Sequence, residues 1–350
     1  MPDLKKKKIF VGFNNAGSEG IYSFTRILRK EGFRIDFFGF SGRWVNTPCD
    51  VTLRPFSNKL LQKLQGLYLL ISSLFKYDIF HFFYGRTFFQ YRFDHFFFKL
   101  LGKKVIYDFR GSELYDVKKS VETDGKESPY YSFFHKKGAT FFENEKKRNG
   151  FLIDNADAIV LAGPWLASQA NKSAHIIPYS RNIEEIHAFK KQNNEKKAFT
   201  ILHAPTKQEI KGTKFVTGAV EELKKEGMEI ELTLVEKVQK EELFEQINRS
   251  DIVVDQLLIG WYGGFSVEAM ALEKPVVCYL EDEYKDLVPF GDEIPIINAS
   301  KDTLKEILKK AISEKEELKA LGKKGYEFVQ KYHDAKVVAK QYQEVYESVL

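Results

Sequence analysis

The chain has 350 residues, too many for one ordinary hydrophobic core and suited to two domains of about 150–200 residues each. Hydrophobic residues make up 43% and charged residues 29%, which fits a globular protein and excludes extensive disorder. Only two cysteines occur, Cys49 and Cys278, so a disulfide framework and a paired-thiolate metal site are excluded and a reducing cytoplasm is expected.

The positive run Lys5 to Lys8 precedes a strand, "KIFVGF", and polar "NNAGSEG" cuts the apolar stretch short of the about 7–15 residues of a signal peptide. "IYSFTRILRKEGF" reads as a helix closed by Gly32, and "RIDFFGF" as a second strand. In "KLLQKLQGLYLLISSLF", Leu60, Leu61, Leu64, Leu67, Tyr68, Ile71, Leu74 and Phe75 recur at a helical period. Its longest greasy run, "LYLLISSLF", is far shorter than the about 20 residues of a membrane span. Neither secretion nor a transmembrane segment is expected. "YDIFHFFYG", "KKVIYDFRG", "ADAIVLAG" and "AHIIPYS" continue the strands.

After the polar stretch "RNIEEIHAFKKQNNEKKAF" the alternation restarts. "AFTILHAPT" is a strand, "TKFVTGAVEELKKEG" a helix, "EIELTLVEK" a strand, "KEELFEQINRS" a helix and "DIVVDQLL" a strand ending near Leu258. A helix beginning near Ser266, the strands "KPVVCYL" and "IPIINAS", and long amphipathic helices complete the chain. Such alternation implies parallel sheets covered on both faces, in two Rossmann-like domains with a central cleft. The expected division is 1–180, a linker at 181–198, a second domain at 199–332, and a terminal helix at 333–350 that packs back on the first domain.

Charge divides unevenly. Residues 1–180 carry +11 and the remainder −6, so the first half is expected to face something anionic.

Ligands of such sheets bind beyond the carboxyl ends of strands, against helix N-termini. Two loops of the second half stand out. "WYGGFSVEAMALEKPVV" sets Gly263, Gly264, Phe265 and Ser266 before a helix with Glu268 in its first turn. Unpaired N–H groups and a half-positive helix end favour a phosphate there, and glycine lets it approach. Glu268 suits paired hydroxyls, or merely complements the helix dipole. "HAPTKQEIKGTK" places His203, Thr206, Lys207 and Lys211 after a strand end, where a lysine either contacts phosphate or is simply solvated.

With its surroundings this half resembles the retaining family 4 glycosyltransferases of the GT-B fold. The residues that carry the resemblance are "KGT" at Lys211, "GGFSVEAMALEKPVV", and "YHD" at Tyr332 before a terminal helix. The resemblance implies a nucleotide-diphosphate sugar donor, with a uridine nucleotide expected. Lys211 would bind its diphosphate, the N–H groups at Gly264 to Ser266 would flank it, and Glu268 would bind ribose. His203, Thr206, Lys207, Gly263 and Phe265 line the same loops. One departure is visible: the family usually has a second Glu eight residues before the ribose Glu, and here that position is Gly260. Trp261, Tyr262 and Gln256 are candidates for substitute contacts.

In the first half, "FNNAGSEG", with Asn15 and Gly17, looks like the glycine-bearing acceptor loop of such enzymes and is not a nicotinamide fingerprint. "YDFRGSELYD" resembles the family's His-Gly-Ser-Asp-type loop, with Arg110 in place of His and Glu113 in place of Asp. Arg110 either stabilises the leaving diphosphate or an anionic acceptor, or forms a salt bridge with Asp108 or Glu113. His81 and His203, at strand ends, are either catalytic or simply packed. No histidine or cysteine pair has metal-ligand spacing, and the resemblance implies neither metal nor other cofactor.

"FFYGRTFFQYRFDHFFFKLLGKK" mixes aromatic and basic residues, as either core or a surface resting on an anionic membrane. No nucleic-acid module is visible. The expected protein is a cytoplasmic, peripheral glycosyltransferase acting with retention on a glycan or lipid-linked acceptor of a cell-surface polysaccharide. Lys211, Arg110 and Glu268 are its expected catalytic groups. A nucleotide-sugar epimerase of the same fold and a non-catalytic relative are the alternatives.

Overall fold

The computed structural model describes residues 4–14, 19–40, 49–54, 56–111, 113–170, 173–191 and 198–350. Two compact units emerge. Unit 1 is Met1–Lys118, Phe134–Ser180 and Ala335–Leu350; unit 2 is Lys119–Phe133 and Arg181–Asp334. Residues 119–133 thus cluster with the second unit, although they lie within the first in the sequence-based division, and residues 181–191 fold into unit 2.

Unit 1 begins with β1 (Lys8–Asn14), α1 (Glu19–Lys30), β2 (Arg34–Phe40), β3 (Val51–Leu53), α2 (Lys59–Lys76), β4 (Ile79–Phe83), α3 (Tyr91–Leu100) and β5 (Lys104–Phe109). Next come α4 (Val117–Asp124) and α5 (Tyr131–Lys137), which enter and leave the 119–133 segment of unit 2, and then α6 (Ala139–Asn155), β6 (Ala158–Leu161) and β7 (His175–Ile176) of unit 1. Unit 2 continues with α7 (Ile183–His187), β8 (Phe199–His203), α8 (Gln208–Lys211), α9 (Thr213–Lys225), β9 (Ile230–Leu234), α10 (Lys240–Arg249) and β10 (Ile252–Val254). It closes with α11 (Gly264–Ala271), β11 (Val276–Cys278), α12 (Asp282–Lys285), β12 (Ile297–Asn298), α13 (Leu304–Ser313) and α14 (Lys315–Tyr332). The chain then returns to unit 1 as α15 (Ala335–Ser348).

The first sheet runs β3-β2-β1-β4-β5-β6-β7 and the second β12-β11-β10-β8-β9, with every pairing parallel. β4 and β8 are buried at every position, as expected of strands covered on both faces. Strand order reverses between β1 and β4 in the first sheet and between β8 and β10 in the second. These are the points at which doubly wound sheets open a crevice at the carboxyl end. Within unit 2 the start of α5 meets the segment after β8: Ser132 Oγ donates to Glu209 at 2.9 Å and the Lys207 ammonium lies 5.3 Å from the Phe133 ring centroid.

The aromatic segment of unit 1 is part core and part surface. Phe82 and Phe98 are buried in a phenylalanine cluster with Phe10 and Phe80, and Phe83 is buried beside His81, whereas Phe89, Phe93 and Phe96 are exposed.

α15 is held to unit 1 by stacking of Phe24 on Tyr342 at 3.9 Å and by a buried polar cluster. Arg110 Nη2 donates to Asp108 at 3.0 Å and to the Tyr342 hydroxyl, which itself donates to Asp108 at 2.6 Å. Burial alone would raise the Asp108 carboxyl, but Arg110 overrides it and holds the group below the ordinary carboxylate range. His81 is buried, with Nδ1 2.9 Å from the Tyr346 hydroxyl. Burial lowers its pKa, so it is neutral near pH 7 and its 3.7 Å approach to Asp108 is not an ion pair.

Asp108→Asn therefore leaves the Arg110 guanidinium buried without its counter-charge. The expected loss is about 3–5 kcal/mol, read as a melting temperature lower by on the order of 10 °C, with faster amide exchange in α15. An unchanged melting temperature would show that the pair does not hold the terminal helix.

Candidate functional site

The crevice of unit 2 is organised around Asp255, which the sequence reading places inside a strand. β10 ends at Val254, four residues earlier than the apolar run suggests, because Asp255 turns its carboxylate into the structure. It is 1% exposed. Lys211 Nζ donates to Oδ1 at 2.7 Å, while the Gly263 N–H and Ser266 Oγ donate to Oδ2 at 2.9 and 2.6 Å. Burial pushes this carboxyl up, yet Lys211 and the other donors prevail and hold it below its ordinary value. The ionised group thus ties the loop after β8 to the loop before α11.

The glycines are where close approach demands them. A Cβ on Gly263 would sit 3.2 Å from Lys211 Nζ and 3.3 Å from Asp255 Oδ2. On Gly264 it would collide with the Arg181 guanidinium. Arg181 Nε donates to Glu268 Oε1 at 2.8 Å, both side chains being nearly buried. The Arg181 N–H in turn donates to the His333 carbonyl at 2.9 Å, and Arg181 pairs with Asp334 as a short parallel bridge. The "YHD" segment therefore anchors Arg181, a residue that the sequence reading assigned only to a linker. Its signal was a cation directly after the last strand of the first half, which composition alone does not separate from a solvated arginine.

The structure thus brings Lys211, Gly263, Gly264, Ser266 and Glu268 together at the N-terminus of α11, with Phe265 half-buried beside them. An ammonium has three donors, of which Asp255 takes one. Thr206 and Lys207 are exposed on the same loop. His203 is engaged on both ring nitrogens: Nδ1 donates to the Val254 carbonyl at 2.8 Å and Nε2 accepts from Thr213 Oγ1 at 2.9 Å. Burial lowers its pKa, so it is a neutral group that locks the end of β8.

Gly260 has a physical reason. Its φ is +79°, in the left-handed region, and a Cβ would lie 3.0 Å from Tyr284 and 3.1 Å from Glu281. A glutamate cannot be accommodated there without strain. The candidate substitutes are engaged elsewhere: Trp261 stacks on Tyr262, the Tyr262 hydroxyl is 2.9 Å from His333 Nε2, and Gln256 donates to the Trp261 carbonyl, all of them buried.

Of the residues expected in unit 1, Asn15 and Gly17 lie outside the described residues. Arg110 and His81 belong to the buried cluster beneath α15. Glu113 accepts from the N–H groups of Arg110 and Gly111 at 2.5 and 3.1 Å, shaping the turn after β5. This is the geometry of a structural ion pair and a packed histidine. Among the described residues, no group of three or more His, Cys, Asp or Glu side chains is placed to hold a metal ion, and no helix is long and apolar enough to cross a membrane.

Residues 201–344 match the family model described as "Glycosyl transferase-like". No curated protein sequence matches the chain. Among solved structures, sucrose-phosphate synthase from Thermosynechococcus elongatus aligns with a TM-score of 0.67 at 14% identity, over 97% of this chain and 98% of that one. HepE of Anabaena, solved in complex with UDP and glucose, aligns with 0.64 at 13% identity, over 98% and 99%. A trehalose-6-phosphate synthase studied for glycosyl transfer with retention aligns with 0.62 at 10% identity, over 98% and 99%. The chain has the GT-B fold, and its matched segment spans β8 to α15, including every residue of the Asp255 network.

Lys211→Met leaves Asp255 buried without its cation and should lower stability by about 3–5 kcal/mol at pH 7. In the wild type the depressed Asp255 pKa makes the pair's contribution complete above the ordinary carboxylate value, about 4, and lost progressively below it. In the variant, unopposed burial raises the same group, so the deficit should shrink as pH falls toward 4. Denaturation midpoints of both proteins at neutral and mildly acidic pH check this; equal deficits at both would contradict it.

Proposed function

Proceeding from a GT-B fold whose residues 201–344 are glycosyl transferase-like, we propose that this chain transfers a sugar from a nucleotide-diphosphate sugar to a glycan or lipid-linked acceptor with retention of configuration. The observation that carries the proposal is the convergence of Lys211, Arg181 and Glu268 on the N-terminus of α11, at the reversal point of the second sheet. A helix N-terminus flanked by two cations suits a diphosphate. A carboxylate one turn along the helix suits the vicinal hydroxyls of ribose. HepE, which shares the fold, is captured with UDP and glucose, and this supports a uridine nucleotide as the donor base.

In the proposed reaction the bond from the anomeric carbon to the diphosphate breaks while a bond to the acceptor oxygen forms on the same face, and the hydroxyl proton passes to the departing diphosphate. Negative charge grows on the departing diphosphate, and stabilising that charge in a fixed polar site is the main catalytic task. Lys211, Arg181 and the first N–H groups of α11 take that task. Arg110, committed to Asp108 and Tyr342, is assigned to holding α15. No metal enters the proposal, and the role is cell-surface glycan synthesis in the cytoplasm.

Gly260 favours a second reading, a donor-binding protein without turnover, because the acidic group usual at this position is absent. Incubation with donor alone and with donor plus acceptor separates the two and also separates an epimerase, which would convert the donor unaided. The binding prediction is calorimetric. One of UDP, GDP and ADP should bind selectively, and Glu268→Gln should weaken it tenfold or more, about 1.4 kcal/mol. Inorganic diphosphate should bind the variant no more weakly than the wild type. Absence of binding by all three nucleotides would overturn the reading.

A further inference from the structure

α2 presents an unusual surface. Its buried side is Gly66, Leu70, Ser73 and Leu74, and a Cβ on Gly66 would collide with the Phe88 carbonyl, so the helix is seated tightly by that face. The opposite side carries Leu60, Leu64, Tyr68, Ile71 and Phe75 at helical spacing, all exposed, with Tyr68 at 70% and Phe75 at 84%. The neighbouring α3 adds exposed Phe93, Phe96 and Leu100, while Asp94, His95 and Phe98 are buried. An amphipathic helix of a globular domain hides its apolar face; α2 hides one face and displays a second.

Basic residues predominate around this patch. Arg54 precedes α2, Lys59, Lys63 and Lys76 lie on it, and no acidic residue occurs between Val51 and Tyr77. Arg92 and Lys99 lie on α3. Its acid, Asp94, is buried and accepts from the Phe89 and Gln90 N–H groups at 3.0 and 3.4 Å. Lys76 pairs with Asp36, and the other exposed cations leave the patch basic.

We propose that the α2–α3 face of unit 1 is a docking surface for an anionic lipid bilayer, with the Leu60-to-Phe75 stripe and Phe96 entering the acyl boundary and the lysines meeting lipid phosphates. Contiguous exposed apolar side chains mark an interaction site, and large apolar residues rimmed by lysine and arginine are the pattern of helices that lie in the membrane interface. A second copy of the chain is the wrong occupant, because a two-fold contact sets each basic rim against its own like charges. The inference concerns unit 1 alone and stands apart from what unit 2 binds.

The full chain is sedimented with vesicles of phosphatidylcholine alone and of phosphatidylcholine with phosphatidylglycerol, at low and high salt. Binding is expected to the anionic vesicles, to weaken with salt, and to fall tenfold or more in Leu64→Glu/Phe75→Glu. Lys59→Glu/Lys63→Glu should weaken binding as well. Both variants alter exposed side chains and should melt with the wild type; a misfolded apolar variant leaves the lysine variant to decide. No binding, equal binding to both vesicles, or wild-type binding by the lysine variant would overturn the proposal. So would concentration-dependent dimerisation abolished by the apolar variant, which would assign the face to a second copy.

Discussion

Asp255 leaves the end of β10 with its carboxylate buried, and the carboxyl edge of the second sheet is arranged to make that tolerable. An ionised carboxylate in such a place is stable only when its lone pairs are occupied and its charge is opposed. Lys211 supplies the charge from the loop after β8; Gly263 and Ser266 supply donors from the start of α11. The segment after β10 and the start of α11 are thereby fixed to Lys211, 44 residues before Asp255, and the loops that bear the candidate ligand-binding groups have one shape rather than many. The tight contact at Gly263 follows from this, since a side chain there would press on the ion pair itself.

A second layer of contacts completes the crevice. Arg181 bridges Glu268 and the backbone of His333, and His333 reaches the Tyr262 hydroxyl at the other side of the glycine loop. The "YHD" segment thus acts through position: it holds a cation and an aromatic ring in place from beneath. The left-handed backbone at Gly260 belongs to the same loop, and its crowding by Tyr284 and Glu281 shows why this chain has no side chain there.

Much of this was legible in the sequence and some was not, for reasons that differ. The strand and helix alternation was plain because strands buried on both faces, such as "FTILH", are continuous apolar runs. Helices α4 to α6 and the short β3 escaped, since their apolar residues are sparse or few and carry no clear period. Asp255 sat inside "DIVVDQLL", where an apolar run hides the strand's true end; an acid directly after three buried β-branched residues was the available signal. Glu268 and Lys211 were found from loop position, but their partners were not, because ion pairs across 44 and 87 residues leave no trace in spacing. Arg110 and His81 illustrate the converse. A cation and a histidine at strand ends look functional in sequence, and only the buried Tyr342 and Tyr346 of α15 show what they hold.

Unit 2 carries an ion-paired crevice and unit 1 a basic apolar face. The crevice is the central claim, and it is tested most directly by hydrogen exchange of the full chain with and without UDP. The account predicts protection confined chiefly to peptides covering 204–212 and 255–268, where Lys211, the α11 N-terminus and Glu268 lie. Protection elsewhere with those peptides unchanged would contradict it.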